Sequence, residues 1–269
     1  MPEPLLDDFL HVALKAKTFG RNHYLLQRVD STNQFAKKLA SGGAEEGTLV
    51  YAEQQTKGRG RWGRQWESHP GKGLQFSLVL RPKHRPSTGS LLTLLGAVSV
   101  ATVLQSMFRV RFHLQWPNDV VFGKKKVAGV LTETLRNRSG FSYAVLGIGL
   151  NVNQREESFS IQIRERAASL AMVIGKEVDR FRLLAEILLQ LESDYRAVQR
   201  SGYRSILDRW VTHSNLLEKK IVLKVNDGIE RGWVRGFHSN GDLILCSEEG
   251  GSKRFSDGHV LEVQHAACD

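Results

Sequence analysis

An α+β fold, a mixed sheet with packed helices followed by a small β-barrel, is predicted by three features of this 269-residue chain. Through residues 22–217, strand-like and helix-like patterns follow the order β-α-β-β-α-β-β-β-α-α, with hairpins among them. That order argues against a doubly wound parallel sheet. From residue 218 onward the composition shifts to short strands separated by Asn-Asp-Gly, Asn-Gly-Asp and Glu-Glu-Gly-Gly turns. This is the spacing of a small barrel. With 41% hydrophobic and 25% charged residues, the chain suits one large domain and one small one. The predicted division is a lead-in over 1–21, a main domain over 22–217 and a C-terminal domain over 218–269.

Each element has a local reason. Residues 23–29 read as a strand, and Asp30-Ser31-Thr32-Asn33 offers N-cap side chains for an amphipathic helix to about residue 40, closed by Gly42-Gly43. Residues 48–54 form a strand, and 74–80 another that stops at Arg81-Pro82. Residues 87–108 are apolar on most faces and predict a buried helix, too polar and too short to span a bilayer. Residues 111–115 read as a strand. After Trp116-Pro117-Asn118-Asp119, residues 120–122 and 127–135 flank Gly123-Lys124-Lys125 as a hairpin. Residues 143–151 make a further strand, 155–174 are polar and then helical, and 180–195 and 203–211 are helices. Strands at 221–225, 232–237, 243–246 and 260–263 complete the barrel.

Lys and Arg outnumber Asp and Glu by 38 to 28, a net charge of +10 that favours anionic partners. The two cysteines, Cys246 and Cys268, build neither a disulfide framework nor a Cys/His metal cluster. No apolar leader begins the chain, so a soluble cytoplasmic protein without membrane association is expected.

The most informative segment is Gly58-Arg59-Gly60-Arg61-Trp62-Gly63-Arg64-Gln65-Trp66. Glycine allows close backbone approach, and each guanidinium presents a fork of donors suited to phosphate or carboxylate. Such a run fits a mobile, anion-binding loop leaving a strand. Alone, it fits single-stranded RNA binding equally well.

Other segments separate the two readings. They are Asp30-Ser31-Thr32-Asn33, Glu53-Gln54-Gln55, Gln115-Trp116-Pro117-Asn118-Asp119, Lys126-Val127-Ala128-Gly129 and Gly147-Ile148-Gly149-Leu150-Asn151. In this order and spacing they resemble the catalytic domain of biotin protein ligases, over about residues 22–263. The resemblance implies the class II aminoacyl-tRNA synthetase-like fold of biotin and lipoate ligases, followed by an SH3-like barrel. It also implies that biotin and MgATP form biotinyl-5′-AMP, which a lysine of a biotin carboxyl carrier domain then attacks.

By the same resemblance, biotin is bound by Ser31, Thr32, Asn33, Gln54, Gly58, Arg59, Gly60, Arg61, Lys126, Gly129, Gly147 and Gly149. ATP falls to Arg61, Arg64, Asn118, Lys126 and Asn151, Mg²⁺ to Asp119, and catalysis to Lys126, Arg61 and Arg59. Plainer roles stand beside these: Ser31 or Thr32 as an N-cap, Gln54 as a solvent-facing strand end, Asp119 as a turn cap, and Trp66 packed under the loop. Lys124 and Lys125 beside Lys126 leave a plain basic turn as the alternative, but the family's Lys-x-x-Gly spacing selects Lys126 and Gly129. Gln115 stands where the family has a basic residue, which implies either weaker nucleotide binding or compensation by Arg109 or Arg111, and His259 stands where the family has an acid. The short stretch before residue 22 predicts ligase activity without operator-specific DNA binding, and homodimerisation stays open. Lipoate or octanoate ligases and transferases share the implied fold but lack this arginine loop.

Overall fold

Seven strands build the main sheet of the computed structural model, in spatial order β1-β2-β3-β7-β6-β5-β4. They are β1 (His23–Val29), β2 (Leu49–Gln55), β3 (Gly73–Leu80), β4 (His113–Gln115), β5 (Asp119–Phe122), β6 (Lys125–Asn137) and β7 (Gly140–Asn151). The structure describes residues 17–82, 89–137, 140–214, 216–226, 228–247 and 250–264. Residues 1–16 of the expected lead-in, residues 87 and 88 of the expected core helix, and Cys268 fall outside these ranges.

β1 and β2 run parallel, and the remaining neighbours in the sheet are antiparallel. A parallel pair needs a crossover, and α1 (Thr32–Ser41) supplies it. Ser31 occupies the N-cap position in extended conformation (φ −156°), yet its side chain makes no capping hydrogen bond. Its hydroxyl is therefore left for another purpose, contrary to the capping role expected from sequence.

α2 (Ser90–Phe108) is apolar all round because it runs through the core, with thirteen of its residues buried, from Leu91 to Leu104. By length and composition it would pass as a membrane-crossing helix, which corrects the expectation that it is too short and too polar. Its burial inside the protein accounts for the composition. α3 (Leu170–Ile174) is capped by Ser169, which accepts from Met172 N–H at 3.2 Å. α4 (Arg180–Ser201) begins at Asp179, whose carboxylate accepts from Phe181 N–H and Arg182 N–H at 3.0 Å each. α5 (Arg204–His213) follows.

A second, antiparallel sheet has the order β11-β10-β9-β8-β12. Its strands are β8 (Lys220–Val225), β9 (Gly228–Phe237), β10 (Leu243–Cys246), β11 (Ser252–Phe255) and β12 (His259–Gln264). β11, Ser-Lys-Arg-Phe, escaped the sequence reading because it is a largely exposed edge strand without apolar alternation. Trp116, Trp210, Leu223, Val234, Leu243 and Val260 belong to one continuous apolar core that joins both sheets. Trp210 meets Phe237 edge-on, with ring centroids 4.7 Å apart.

Below the main sheet, Arg180 donates to Glu53 at 3.0 Å, to Tyr51 Oη at 3.0 Å and to the Gly73 carbonyl at 3.1 Å. The two charged side chains are only 12% and 10% exposed. Removing one partner of such a pair leaves a buried uncompensated charge. Arg180→Ala is therefore expected to lower unfolding free energy by about 3–5 kcal/mol in a urea titration.

Candidate active site

Where β6 and β7 cross the open face of the sheet, their side chains disappear. Gly129 pairs with Gly149, and Leu131 with Gly147. A Cβ on Gly147 would lie 2.0 Å from Asn33 Oδ1, and one on Gly149 would lie 2.4 Å from the Trp66 ring. A Cβ on Gly129 would lie 2.8 Å from Lys126 Nζ. The glycines thus make a flat backbone floor on which Asn33, Trp66 and Lys126 rest.

The start of α1 forms one wall. Asn33 donates to the Leu131 carbonyl (3.3 Å) and to Glu133 (2.9 Å), and accepts from Ser77 Oγ at 2.6 Å. Gln55 Oε1 accepts from Thr32 N–H at 2.8 Å and Thr32 Oγ1 at 3.0 Å. What Gln55 has left to offer a ligand is its Nε2 donor pair.

The arginine loop forms the roof as a closed hairpin rather than the loose segment its glycines suggested. Gly60 N–H bonds Arg64 O at 2.7 Å, Trp66 N–H bonds Gly58 O at 3.0 Å, and Arg59 bridges to Gln65. Residues Arg61–Gly63 make a single 3₁₀ turn, with Trp62 in the left-handed region at φ 56°. Gly58 serves the closure itself, since a Cβ there would sit 2.4 Å from Trp66 O.

Cations and two acids gather at the mouth. Lys126 Nζ lies 2.7 Å from Asp119 Oδ1 and 5.5 Å from the Trp66 ring centroid. Gln34, with its amide oriented to suit its neighbours, accepts from Arg59 Nη1 and from Lys37 Nζ. Arg61 donates to Asn118 Oδ1 (3.2 Å) and the Gly258 carbonyl (3.4 Å), and pairs with Asp257. Burial pulls the Arg61 guanidinium down to about 10, with Asp119 opposing and Arg64 assisting. It stays protonated at neutral pH. His259 is likewise held below the usual imidazole range, first by burial and then by Arg64, Lys126 and Arg61, with Asp119 opposing.

The cavity enclosed by floor, wall and roof is lined by Ser31, Thr32, Asn33, Gln55, Arg59, Gly60, Trp66, Asn118, Lys126, Gly129, Val130, Leu131, Gly147, Ile148 and Gly149. Ten of the residues singled out from sequence are in that lining. Gln54 is not: it lines a neighbouring cleft with Arg28, Gln65 and His69, and its place is taken by Gln55. The ladder between β2 and β3 ends at Ala52, so strand alternation no longer sets which face residues 54 and 55 occupy. Gly58, Arg61 and Arg64 belong to the hairpin rather than the lining. Asn151 is spent on structure, donating to the Ala168 carbonyl at 3.2 Å and accepting from Gln154 at 3.4 Å.

Asp119, expected as a metal ligand, lies against the Lys126 ammonium at 2.7 Å. No group of three or more His, Cys, Asp or Glu side chains suited to a metal occurs among the described residues. Gln115 donates to the Val260 carbonyl at 3.2 Å, so it ties β4 to β12. Trp66, read from sequence as packing beneath the loop, lines the cavity. Gln55, Asp257 and His259 had no role assigned from sequence. The acid two residues before His259 was the available signal for the last two.

Residues 25–151 match the biotin/lipoate A/B protein ligase family. The bifunctional ligase/repressor BirA of Bacillus subtilis is 32% identical over 255 residues, 95% of this chain and 78% of that protein. A biotin–[acetyl-CoA-carboxylase] ligase of Paracoccus denitrificans is 29% identical over 84% of this chain and 95% of its own length. The structure is also similar to that of a biotin protein ligase from Aquifex aeolicus in complex with biotin and ATP. That match has a TM-score of 0.77 at 32% identity and covers 91% of this chain and 99% of that one. The chain belongs to the biotin/lipoate A/B protein ligase family.

Because Trp66 rests on Gly149, Gly149→Ala is expected to expel the indole from the cavity wall. Overpacking of this kind costs about 1–3 kcal/mol. Denaturation followed by tryptophan emission should show both the loss of stability and an altered native spectrum.

Proposed function

We propose that this chain is an ATP-dependent ligase that activates biotin as biotinyl-5′-AMP and transfers the biotinyl group to a lysine of a carboxyl carrier domain. The observation that carries the reading is one cavity with two chemistries. Its inner end combines a side-chain-free floor with the neutral hydrogen-bonding groups of Ser31, Thr32, Asn33 and Gln55, while its mouth carries Lys126 and Arg59. A ureido-bearing bicyclic ring suits the first, and its valerate carboxylate suits the second.

In the first step a carboxylate oxygen attacks the α-phosphorus of ATP and pyrophosphate leaves. In the second, the carrier amine attacks the acyl carbon and AMP leaves. Two anions must be brought together, so fixed cations lower the barrier. Lys126 bridges the carboxylate and the α-phosphate, and Arg59 holds the carboxylate. Arg61, Arg64 and Asn118 face the nucleotide, and Asp119 keeps Lys126 aimed between the two substrates. Mg²⁺ enters with ATP as part of the substrate, which suits a site where Asp119 is the nearby carboxylate and phosphates supply the other ligands.

The acceptor is a carrier domain of a biotin-dependent carboxylase, in keeping with the name of the Paracoccus relative. That name carries ligase activity alone, whereas the Bacillus relative is named a ligase/repressor; the reading here is confined to the ligase reaction. The need for MgATP and a carboxylase acceptor supports a cytoplasmic location. Sedimentation with and without biotin and ATP decides between monomer and homodimer.

The test is to incubate the protein with biotin, MgATP and a carboxyl carrier domain and to blot for biotin. ATP-dependent label on the carrier lysine is expected; equal or better labelling with lipoate or octanoate would overturn the assignment. Within that assay, Lys126→Ala should cut adenylate formation by roughly 10²–10³ without altering the fold. Lys124→Ala and Lys125→Ala should stay near wild type, because Lys124 is exposed and Lys125 faces Glu156 at 3.7 Å.

A further inference from the structure

We propose that Asp257 is a positioning residue: from the second sheet it latches the arginine hairpin shut over the cavity, and so sets how long the adenylate stays bound. The latch rests on geometry alone; its consequence for the adenylate rests on the ligase reading.

Asp257 lies in the turn between β11 and β12, 195 residues beyond Trp62 in the chain. Its carboxylate is divided between two consecutive hairpin residues. One oxygen pairs with the Arg61 guanidinium, and the other, Oδ2, accepts from Trp62 Nε1 at 3.0 Å. The next residue, Gly258, adds its carbonyl to Arg61 Nη1 at 3.4 Å. Both ends of this connection are fixed in different ways.

On the sheet side, Gly258 is packed so closely that a Cβ would lie 2.9 Å from Leu223 Cδ1 and 3.1 Å from the Trp116 ring. Trp116 is 2% exposed and part of the central core. The carboxylate therefore rides on rigid structure. On the hairpin side, Trp62 holds a left-handed backbone (φ 56°), which a residue with a branched-out ring adopts at a cost. Trp62 as a whole is 40% exposed, so burial does not offset that cost. The indole bond to Asp257 and the Arg61 guanidinium 5.9 Å over the ring do. Arg61 also reaches Asn118 in the cavity lining, so freeing Arg61 from Asp257 loosens the roof where it meets the nucleotide side.

The test uses the full chain with Asp257→Asn, Asp257→Glu and, as a control within the same sheet, Lys253→Ala. The control breaks an exposed pair with Glu230 at 3.0 Å that does not touch the hairpin. Two rates are read: tryptic cleavage after Arg59 and Arg61 in ligand-free protein, and loss of preformed biotinyl-AMP through a desalting column. A melting curve accompanies each variant. Losing a charge-assisted bond from a half-exposed acid should raise both rates roughly tenfold in Asp257→Asn. Asp257→Glu should recover part of the effect and Lys253→Ala should leave both rates unchanged.

Wild-type rates in a folded Asp257→Asn protein would overturn the latch, as would an equal increase in Lys253→Ala. If Asp257→Asn does not fold, Trp62→Phe removes the indole bond while leaving the Arg61 pair, so a smaller rise in cleavage is expected and unchanged cleavage there would also overturn the latch. If the wild type makes no adenylate at all, the ligase reading fails while the cleavage ratio still decides the latch.

Discussion

The antiparallel pairing of Gly129 with Gly149, and of Leu131 with Gly147, is the constraint on which the site depends. Glycine weakens an isolated strand. Here β7 is hydrogen-bonded on both sides, to β3 and to β6, so the ladder holds the strand without help from side chains. The backbone polar groups are paired within the sheet, which makes the floor unreactive and flat. Into the space left by three missing Cβ atoms come Asn33 from α1, Trp66 from the hairpin and Lys126 from β6 itself. Floor, wall and roof are thus set by one feature of two strands.

Charge at the mouth is arranged so that the folded protein tolerates it. Lys126 stands against Asp119, Arg61 against Asp257, and Arg59 against Gln34. Partly exposed pairs of this kind contribute little stability, about 0–1 kcal/mol each. Their value is orientation: cations already aimed when phosphate and carboxylate arrive need no reorganisation as charge shifts during reaction. Asp257 offsets part of the repulsion that the hairpin arginines exert on one another, and backbone hydrogen bonds from Gly60 to Arg64 and from Trp66 to Gly58 close the segment.

Much of this was legible in the residues. Strand and helix positions followed alternation and periodicity, and Gly129, Gly147, Gly149 and Lys126 stood out because their spacing matched a known pattern. The misreadings have physical causes. Gln55 and not Gln54 enters the cavity because β2 has lost one neighbour by that point, so alternation stops informing. Ser31 sits at an N-cap without capping, which no local pattern encodes. Asn151 ends a strand among site residues, yet its amide donates to the Ala168 carbonyl in the segment that returns 17 residues later, a contact no local pattern encodes. Asp257 is a tertiary partner brought in by a separate sheet, and no spacing rule within residues 58–66 points to it.

The central claim is that this one cavity recognises biotin and that its cations form the adenylate. Isotope exchange between labelled pyrophosphate and ATP, without any carrier domain, tests it most directly because it requires only the first step. The account predicts exchange that depends on biotin, saturates with it, and is not supported by lipoate or octanoate. Exchange that proceeds without biotin, or equally well with lipoate, would contradict it.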